Sequence, residues 1–340
     1  MSAQRWLDRM WYGGALPPWW LMPLTAVFWS ASTLRRAAYA RGFLRSRGPS
    51  CPVIVVGNLT VGGTGKTPLV CWLVARLSDR GYRPGVVSRG YRGTSRGSRR
   101  VSCVDDPRVV GDESVLIARR TGAPVAIGRD RPAAADLLAQ LGCDVIVSDD
   151  GLQHYALARD CEIVVLDGAR GVGNGWVLPA GPLREMPDRL QTVDAVVVNG
   201  GEPGRDHAHH MRLEADCAVP VIGGASRLLS DFAGESVHAV AGIGNPQRFF
   251  KMLRAHGIDV IPRPLDDHAP LRRADIEFAD DKSVLMTEKD AVKCGAFADS
   301  RHWYVPVTAG FSGDESTSLL DIVFKAIDMR GQAPRGPLNG

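Results

Sequence analysis

The stretch "TVGGTGKTP" (60–68) contains the residue types of a loop that holds phosphate groups. It follows the apolar run "CPVIVVGNL" and precedes the helical pattern "LVCWLVARL", which predicts a strand, a glycine-rich turn and a helix. In such loops backbone N–H groups converge on the phosphates, a lysine reaches the outer phosphates, and the next hydroxyl holds Mg²⁺. We therefore predict a nucleotide-binding loop formed by Thr60, Val61, Gly62, Gly63, Thr64, Gly65, Lys66 and Thr67.

Two adjacent carboxylates could complete a nucleotide site of this kind by binding its metal ion. The run "VIVSDDG" (145–151) is a buried strand that ends in Asp149 and Asp150. Ligands of open α/β sheets bind at the carboxyl ends of the strands, so both carboxylates should lie at the nucleotide. One would coordinate Mg²⁺ directly or through water, and the other would orient a group beside it.

Three further clusters contain groups that suit phosphoryl transfer. "GDE" (111–113) opens a predicted helix, where Asp112 is either a helix cap or a carboxylate that faces the site. "GPLRE" (181–185) places Arg184 and Glu185 at another predicted helix start, where an arginine can clamp phosphate and a glutamate can help to hold Mg²⁺. "LDDHAP" (265–270) places His268 beside Asp267, in a region that a second domain would bring to the first.

Charge and cysteine content narrow the class of protein. The formal net charge of +4 over 340 residues is too small to indicate a nucleic-acid partner, although arginines crowd residues 35–47 and 83–100. Such runs are either solvated surface or suit anionic partners. The seven cysteines form no C-x-x-C pair, which indicates reduced thiols in a cytosolic protein and no disulfide or zinc framework.

The N-terminal region is rich in tryptophan and then becomes basic. Its apolar part, residues 15–31, contains Pro17, Pro18 and Pro23 and is shorter than the roughly 20 residues of a spanning helix. Tryptophan favours the bilayer interface, and the arginines that follow suit anionic headgroups. We expect an amphipathic helix on the cytoplasmic face of a membrane, with a helix docked on the protein's own core and a single membrane pass as alternatives.

From residue 52 onward, short apolar runs alternate with helical patterns, which predicts an α/β fold with a doubly wound, mostly parallel sheet of the P-loop NTPase type. A second, smaller α/β unit begins at "VHAVAGIGNPQRFFKMLRAHG". The predicted organisation is a membrane-associating segment (1–50), a P-loop core (51–205), a linker (206–235), a second domain (236–330) and a disordered tail (331–340).

These clusters, taken in order, resemble the tetraacyldisaccharide 4′-kinase (lipid A 4′-kinase) family. The resemblance rests on "VGNLTVGGTGKTP", "SRGYRG" (88–93), "GDE", "SDDGLQH" (148–154), "LPAGPLRE" (178–185), "AGIGNPQRFF" (241–250) and "TEKDAVK" (287–293). The common phosphate-loop pattern has glycine in place of Thr60, but threonine is usual in this family.

The resemblance implies a membrane-associated kinase at the cytoplasmic face of the inner membrane, which uses ATP and Mg²⁺. Its acceptor would be the 4′-hydroxyl of a tetraacylated glucosamine disaccharide 1-phosphate, and no obligate protein partner is implied. In the family a carboxylate–histidine pair activates the acceptor, and this pair corresponds to Asp112 and His268, with Lys66 as the third catalytic residue. The family commonly has a doubled histidine where this chain reads His268-Ala269.

The resemblance also assigns a set of polar site residues. By position in the motifs these are Thr67, Asp149, Asp150 and Glu185 as metal ligands, and Tyr91, Gln153, His154 and Arg184 as further site residues.

A membrane-associated ATPase switch of the partitioning type is the main alternative. That class also uses a GGxGKT loop, but it carries a lysine immediately before the two glycines, where this chain has Val61. A cytosolic ligase of the dethiobiotin synthetase kind would not need the N-terminal segment. A nucleotide-binding module without enzymatic activity would not explain Asp112, the aspartate pair and "GPLRE" together.

Overall fold

The structure, a computed structural model, describes residues 3–201, 208–267 and 269–332. Within these residues the first lobe is built on a nine-stranded sheet. Its strands lie in the order β15 (Thr308–Gly310), β8 (His209–Glu214), β7 (Ala195–Asn199), β6 (Cys161–Asp167), β1 (Val53–Gly57), β5 (Val145–Asp149), β2 (Pro84–Ser88), β4 (Val125–Ile127) and β3 (Arg99–Val101). The inner strands from β8 to β4 are parallel, and the edge strands β15 and β3 are antiparallel to their neighbours.

Helices cover both faces of this sheet. The described helices of the lobe are α3 (Lys66–Asp79), α4 (Pro107–Val110), α5 (Asp112–Thr121), α6 (Arg131–Gln140) and α10 (Gly313–Gln332). On β1, Ile54 packs into the core with α3, α5 and α10, whereas Val55 packs into the core with α6. Because side chains of a strand alternate between faces, burial on both faces requires a continuous apolar run. The predicted doubly wound sheet is confirmed.

A second, six-stranded sheet forms the smaller lobe. Its strands lie in the order β10 (Arg227–Leu228), β9 (Cys217–Pro220), β14 (His302–Val305), β13 (Val284–Thr287), β11 (Ser236–Ala241) and β12 (Asp259–Pro264). The lobe also contains α7 (Pro246–Ala255), α8 (Arg273–Ile276) and α9 (Glu288–Cys294). Phe250 of α7 and Leu285 of β13 are fully buried in its core.

The segment that was predicted as a linker, residues 206–235, contributes strands to both sheets. The described part of that segment contains β8, which pairs with β7 of the first sheet, and β9 and β10, which belong to the second sheet. After β14 the chain returns to the first lobe, where β15 pairs with β8, and α10 contributes Leu319 and Val323 to the core. The first lobe is therefore discontinuous in sequence. Residues 333–340 of the predicted tail lie outside the described residues.

The N-terminal region is partly docked and partly exposed. It consists of α1 (Ala3–Tyr12), a 3-10 turn (Trp19–Leu21) and α2 (Met22–Ala40). The indole of Trp11 donates to the carbonyl of Pro179 at 3.2 Å, and the hydroxyl of Thr25 accepts from the backbone N–H of Ala180 at 3.2 Å. By contrast, Trp19 is 82% exposed. No helix in the described parts of the chain is both long and apolar enough to cross a membrane.

Candidate functional site

The glycine-rich loop connects β1 to α3 as predicted. Gly62 and Gly65 adopt positive φ angles of 105° and 95°, which residues with a side chain rarely adopt. Gly65 caps α3, and the cap makes no side-chain hydrogen bond, so the first N–H groups of a 14-residue helix face the site. An N-terminus of this kind attracts anions. Residues 61–67 line the cavity described below, whereas Thr60 is buried and pairs with Leu183.

A cavity of about 990 Å³ opens along the carboxyl ends of the parallel strands. Lys66 follows β1, Asp150 follows β5, Asp167 ends β6 and Asn199 ends β7, and all four side chains line the cavity. Groups from the second lobe and from α2 complete the wall. The strand order therefore gathers residues that are more than 100 positions apart in the sequence.

Asp150 lies between two cations. Its carboxylate is 3.5 Å from Nζ of Lys66 and 3.1 Å from Nη1 of Arg184. Burial alone would raise the pKa of Asp150, but Lys66 and Arg184 outweigh that effect and hold the pKa well below its usual range. The residue has a φ of 49°, a backbone conformation that is uncommon for aspartate. Asp150 is therefore an ionised anchor for both cations.

Asp149 differs from its neighbour because it is buried. It is 1% exposed, and its Oδ1 atom has no hydrogen-bond partner among the described residues. Burial, with the nearby charge of Glu113 as the next cause, raises its pKa. An unpaired carboxylate oxygen in a buried position is costly unless a cation or a proton compensates it.

The residues present fit a magnesium ion. Thr67 would contribute a hydroxyl, and Asp149 and Asp150 would contribute carboxylates. Within the described ranges, no three His, Cys, Asp or Glu side chains form a ready-made metal cage. Mg²⁺ usually takes one or two carboxylates and completes its shell with water and substrate phosphates.

Glu185 is placed differently from the prediction. Arg184 and Glu185 lie in a loop before a 3-10 turn (Pro187–Gln191), and not at the start of an α-helix. The carboxylate of Glu185 accepts a hydrogen bond from the hydroxyl of Tyr155 and lies 3.5 Å from Nε of Arg189. Burial raises the pKa of Glu185, although Tyr155 and Arg189 oppose this effect. These contacts hold the carboxylate at the cavity wall, and its Oε2 atom has no hydrogen-bond partner among the described residues, so metal ligation by Glu185 stays a prediction.

Asp112 begins α5 as predicted, at the junction of the two lobes. It is 7% exposed, and its carboxylate lies 3.6 Å from Nζ of Lys293 on α9. The next residue, Glu113, lines the cavity and pairs with Lys289 at 3.2 Å. Lys289 also pairs with Asp267 at 3.2 Å, which brings the "LDDHAP" loop to the first lobe. His268 itself lies outside the described residues.

The remaining predicted site residues also line the cavity. They are Tyr91, Gln153, His154 and Arg184. The side-chain amide of Gln153 donates to the backbone carbonyl of Asn58 at 3.1 Å, and the backbone carbonyl of Gln153 accepts from Arg35 of α2 at 3.3 Å. Burial and the positive charges of Arg131 and Arg89 lower the pKa of His154 to about 3, so its imidazole is neutral at neutral pH.

Comparison with known proteins identifies the family. The sequence model of the tetraacyldisaccharide-1-P 4′-kinase family (LpxK) matches residues 17–325. The chain belongs to this family. It is 48% identical over 320 residues to the tetraacyldisaccharide 4′-kinase of Nitrosococcus oceani, with 94% of each chain covered. It is 52% identical over 298 residues to that of Alkalilimnicola ehrlichii, with 86% of this chain and 90% of the relative covered.

A solved relative supports the same assignment. The crystal structure of LpxK from Aquifex aeolicus in complex with ATP matches with a TM-score of 0.75 and 26% identity, over 90% of this chain and 98% of that chain. The protein is therefore an ATP-binding kinase of the LpxK family, and the predictions of family, enzyme class and fold are confirmed.

Several residues that line the kinase cavity were missed by the sequence analysis. Arg131 is 1% exposed and donates from Nη1 to the carbonyls of Val87 and Asp149 at 3.0 and 2.9 Å. The sequence did contain a signal for Arg131, because a positive charge in the first turn of a helix is unfavourable with the helix dipole and therefore indicates another role. Asn199 carried no local signal. Arg248 lies within the motif "AGIGNPQRFF" (241–250), but only the fold brings its side chain to Asn199 beside the phosphate loop.

Proposed function

We propose that this kinase transfers the γ-phosphate of ATP to the 4′-hydroxyl of a tetraacylated glucosamine disaccharide 1-phosphate at a membrane surface. The observation that carries the proposal is the composition of one cavity wall. The phosphate loop with Lys66 and Asp150 forms one part, and Phe28, Ser32 and Arg35 of α2 form another. A helix that carries exposed apolar side chains thus borders the same space as the nucleotide loop.

The nucleotide end of the cavity holds the triphosphate. The N–H groups of the glycine loop and the start of α3 receive phosphate oxygens, and Lys66 reaches the outer phosphates. Thr67, Asp149 and Asp150 would hold Mg²⁺, which when bound would neutralise phosphate charge. Arg184, anchored on Asp150, adds a positive charge that stabilises the negative charge developing in the transition state.

The acceptor end lies where α5 meets the second lobe. Asp112 acts as the general base that takes the proton of the 4′-hydroxyl, and His268 orients it or relays the proton. Lys293 beside Asp112 keeps the carboxylate in a fixed position. The neutral imidazole of His154 and the amide of Gln153 supply hydrogen bonds to the sugar without further charge.

The N-terminal region holds the enzyme at the cytoplasmic face of the inner membrane. Leu16 and Trp19 are 90% and 82% exposed, and Val27 and Leu34 of α2 are 67% and 70% exposed. Apolar and indole groups of this kind partition into the bilayer interface, and Arg35 and Arg36 suit anionic lipid or the substrate's 1-phosphate. The acyl chains of the substrate would then stay in the bilayer while the sugar enters the cavity.

A transfer assay tests this function. The full chain is incubated with γ-labelled ATP and a tetraacyl disaccharide 1-phosphate in detergent micelles, with Mg²⁺ or with EDTA. We expect a metal-dependent bis-phosphorylated lipid, which Lys66→Ala abolishes and Lys251→Ala, an exposed lysine of α7, leaves unchanged. ATP hydrolysis that rises with added membrane, without any lipid product, would support the ATPase switch and refute the proposed function.

A further inference from the structure

The amide of Asn199 connects the phosphate loop to the second lobe. Asn199 ends β7 and is 1% exposed. Its Nδ2 donates to the backbone carbonyl of Thr64 at 2.9 Å, and its Oδ1 accepts from Nη2 of Arg248 at 2.7 Å. The donor end of one buried amide thus contacts the loop, and its acceptor end contacts α7 of the second lobe.

The contact to Thr64 controls the shape of the loop. Thr64 directly precedes Gly65 and Lys66, so its carbonyl must point away from the phosphates if the following N–H groups are to point toward them. The Asn199 amide holds that carbonyl. The packing is close, because a Cβ atom on Gly65 would overlap the Asn199 amide.

The contact to Arg248 sets the orientation of the amide. A bond from a guanidinium to the amide oxygen is charge-assisted and therefore stronger than a neutral bond. Burial lowers the pKa of Arg248, with Asp167 opposing the effect, so the group is held in a partly desolvated position. The loop before α7 also approaches the phosphate loop, since a Cβ on Gly244 would lie 3.0 Å from the backbone nitrogen of Gly63.

We propose that Asn199 is a positioning residue through which Arg248 of the second lobe sets the geometry of the phosphate loop, and hence the affinity for ATP. When α7 is seated, Arg248 fixes the amide and the amide fixes the Thr64 carbonyl. The inference rests on the nucleotide-binding part of the proposed function only.

A double-mutant cycle on ATP affinity tests the connection. Titration of the full chain with a fluorescent ATP analogue compares wild type, Asn199→Ala, Arg248→Met and the double variant. We expect each single change to weaken binding about tenfold, and the double variant to bind about as weakly as Asn199→Ala alone. Arg248→Lys, which keeps a charged donor, should restore part of the affinity, and Arg254→Met, an exposed arginine of the same helix, should bind normally.

Independent effects would overturn the inference. If the double variant binds about a hundredfold more weakly, the two residues act separately, and if Arg248→Met binds normally, the second lobe does not control the loop. A thermal unfolding midpoint of Arg248→Met equal to that of wild type shows that lost affinity is not lost folding. The affinity measurements use no lipid acceptor, so a non-additive cycle supports the inference whatever the transfer assay shows. Failure to form a lipid product in the transfer assay would refute only the proposed acceptor.

Discussion

Asp150 and Lys66 form an ion pair of 3.5 Å at the cavity, although they follow different strands and are 84 positions apart in sequence. The same carboxylate anchors Arg184 at 3.1 Å. One aspartate therefore positions both cations that we assign to the phosphates. This arrangement keeps the cations in place before the nucleotide binds, so less reorganisation is needed during the reaction.

Asp150→Asn should keep the volume of the side chain and remove its charge. Lys66 and Arg184 then lose their shared anion, and we expect kcat/KM for ATP to fall by at least about 100-fold, as for other losses of preorganised charge. Steady-state kinetics with varied ATP measure the effect. Asp188→Asn is the matched control, because Asp188 forms an exposed surface pair with Arg36. Equal loss in both variants would contradict the anchoring role.

Asp112→Ala should abolish turnover while ATP still binds. Removal of a general base typically costs about 10²- to 10⁴-fold in rate, and Asp112 lies on α5 and not on the phosphate loop. Single-turnover transfer and ATP titration measure the two properties separately. Asp321→Ala, an exposed aspartate of α10, serves as control. A near-normal rate in Asp112→Ala would remove this residue from the base role.

Local sequence patterns were sufficient to predict many of the strands and site residues of the first lobe. The continuous apolar runs of β1, β2 and β5 indicated burial on both faces, and the glycine loop and the aspartate pair were located because each directly follows such a run. Their meeting at one cavity follows from the rule that parallel strands present their carboxyl ends at one edge.

These local sequence patterns could not predict strand pairing or side-chain contacts between residues that are distant in sequence. The return of β15 and α10 to the first sheet depends on pairing with β8, whose residues alternate weakly between buried and exposed positions. The partners of Glu185 and Asn199 lie 30 and 135 positions away in sequence. Sequence spacing carries no information about such contacts, because only tertiary packing decides which polar group faces which.

Trp19→Ala combined with Trp20→Ala should weaken membrane binding. The two side chains are 82% and 54% exposed, and burying a large apolar side chain contributes about 1.5 to 3 kcal/mol, so we expect at least a tenfold loss of affinity. Sedimentation with vesicles that contain anionic lipid measures binding. Leu228→Ala removes an apolar group of the second lobe that is 55% exposed, and this variant should bind normally. Unchanged binding of the tryptophan variant would exclude this surface as the membrane contact.

His154 should make the folded enzyme sensitive to acid. Its pKa in the folded chain is about 3, against an ordinary value of 6.5, because burial and the charges of Arg131 and Arg89 disfavour the imidazolium. Between these two values the unfolded chain binds a proton at His154 and the folded chain does not. Acid therefore favours unfolding, and the free energy of unfolding falls by up to about 1.4 kcal/mol per pH unit from this group, with no loss above pH 6.5.

Urea unfolding at several pH values between 7 and 4.5 measures this sensitivity in wild type and in His154→Gln. Glutamine does not titrate, so the variant should lose stability more slowly on acidification than wild type does, by roughly 1 kcal/mol per pH unit below pH 6. The comparison of slopes removes the contribution of every other titrating group and any constant cost of the substitution. Parallel slopes would mean that His154 gains its proton in the folded chain as easily as in the unfolded one, and would contradict its assignment as a neutral hydrogen-bonding group.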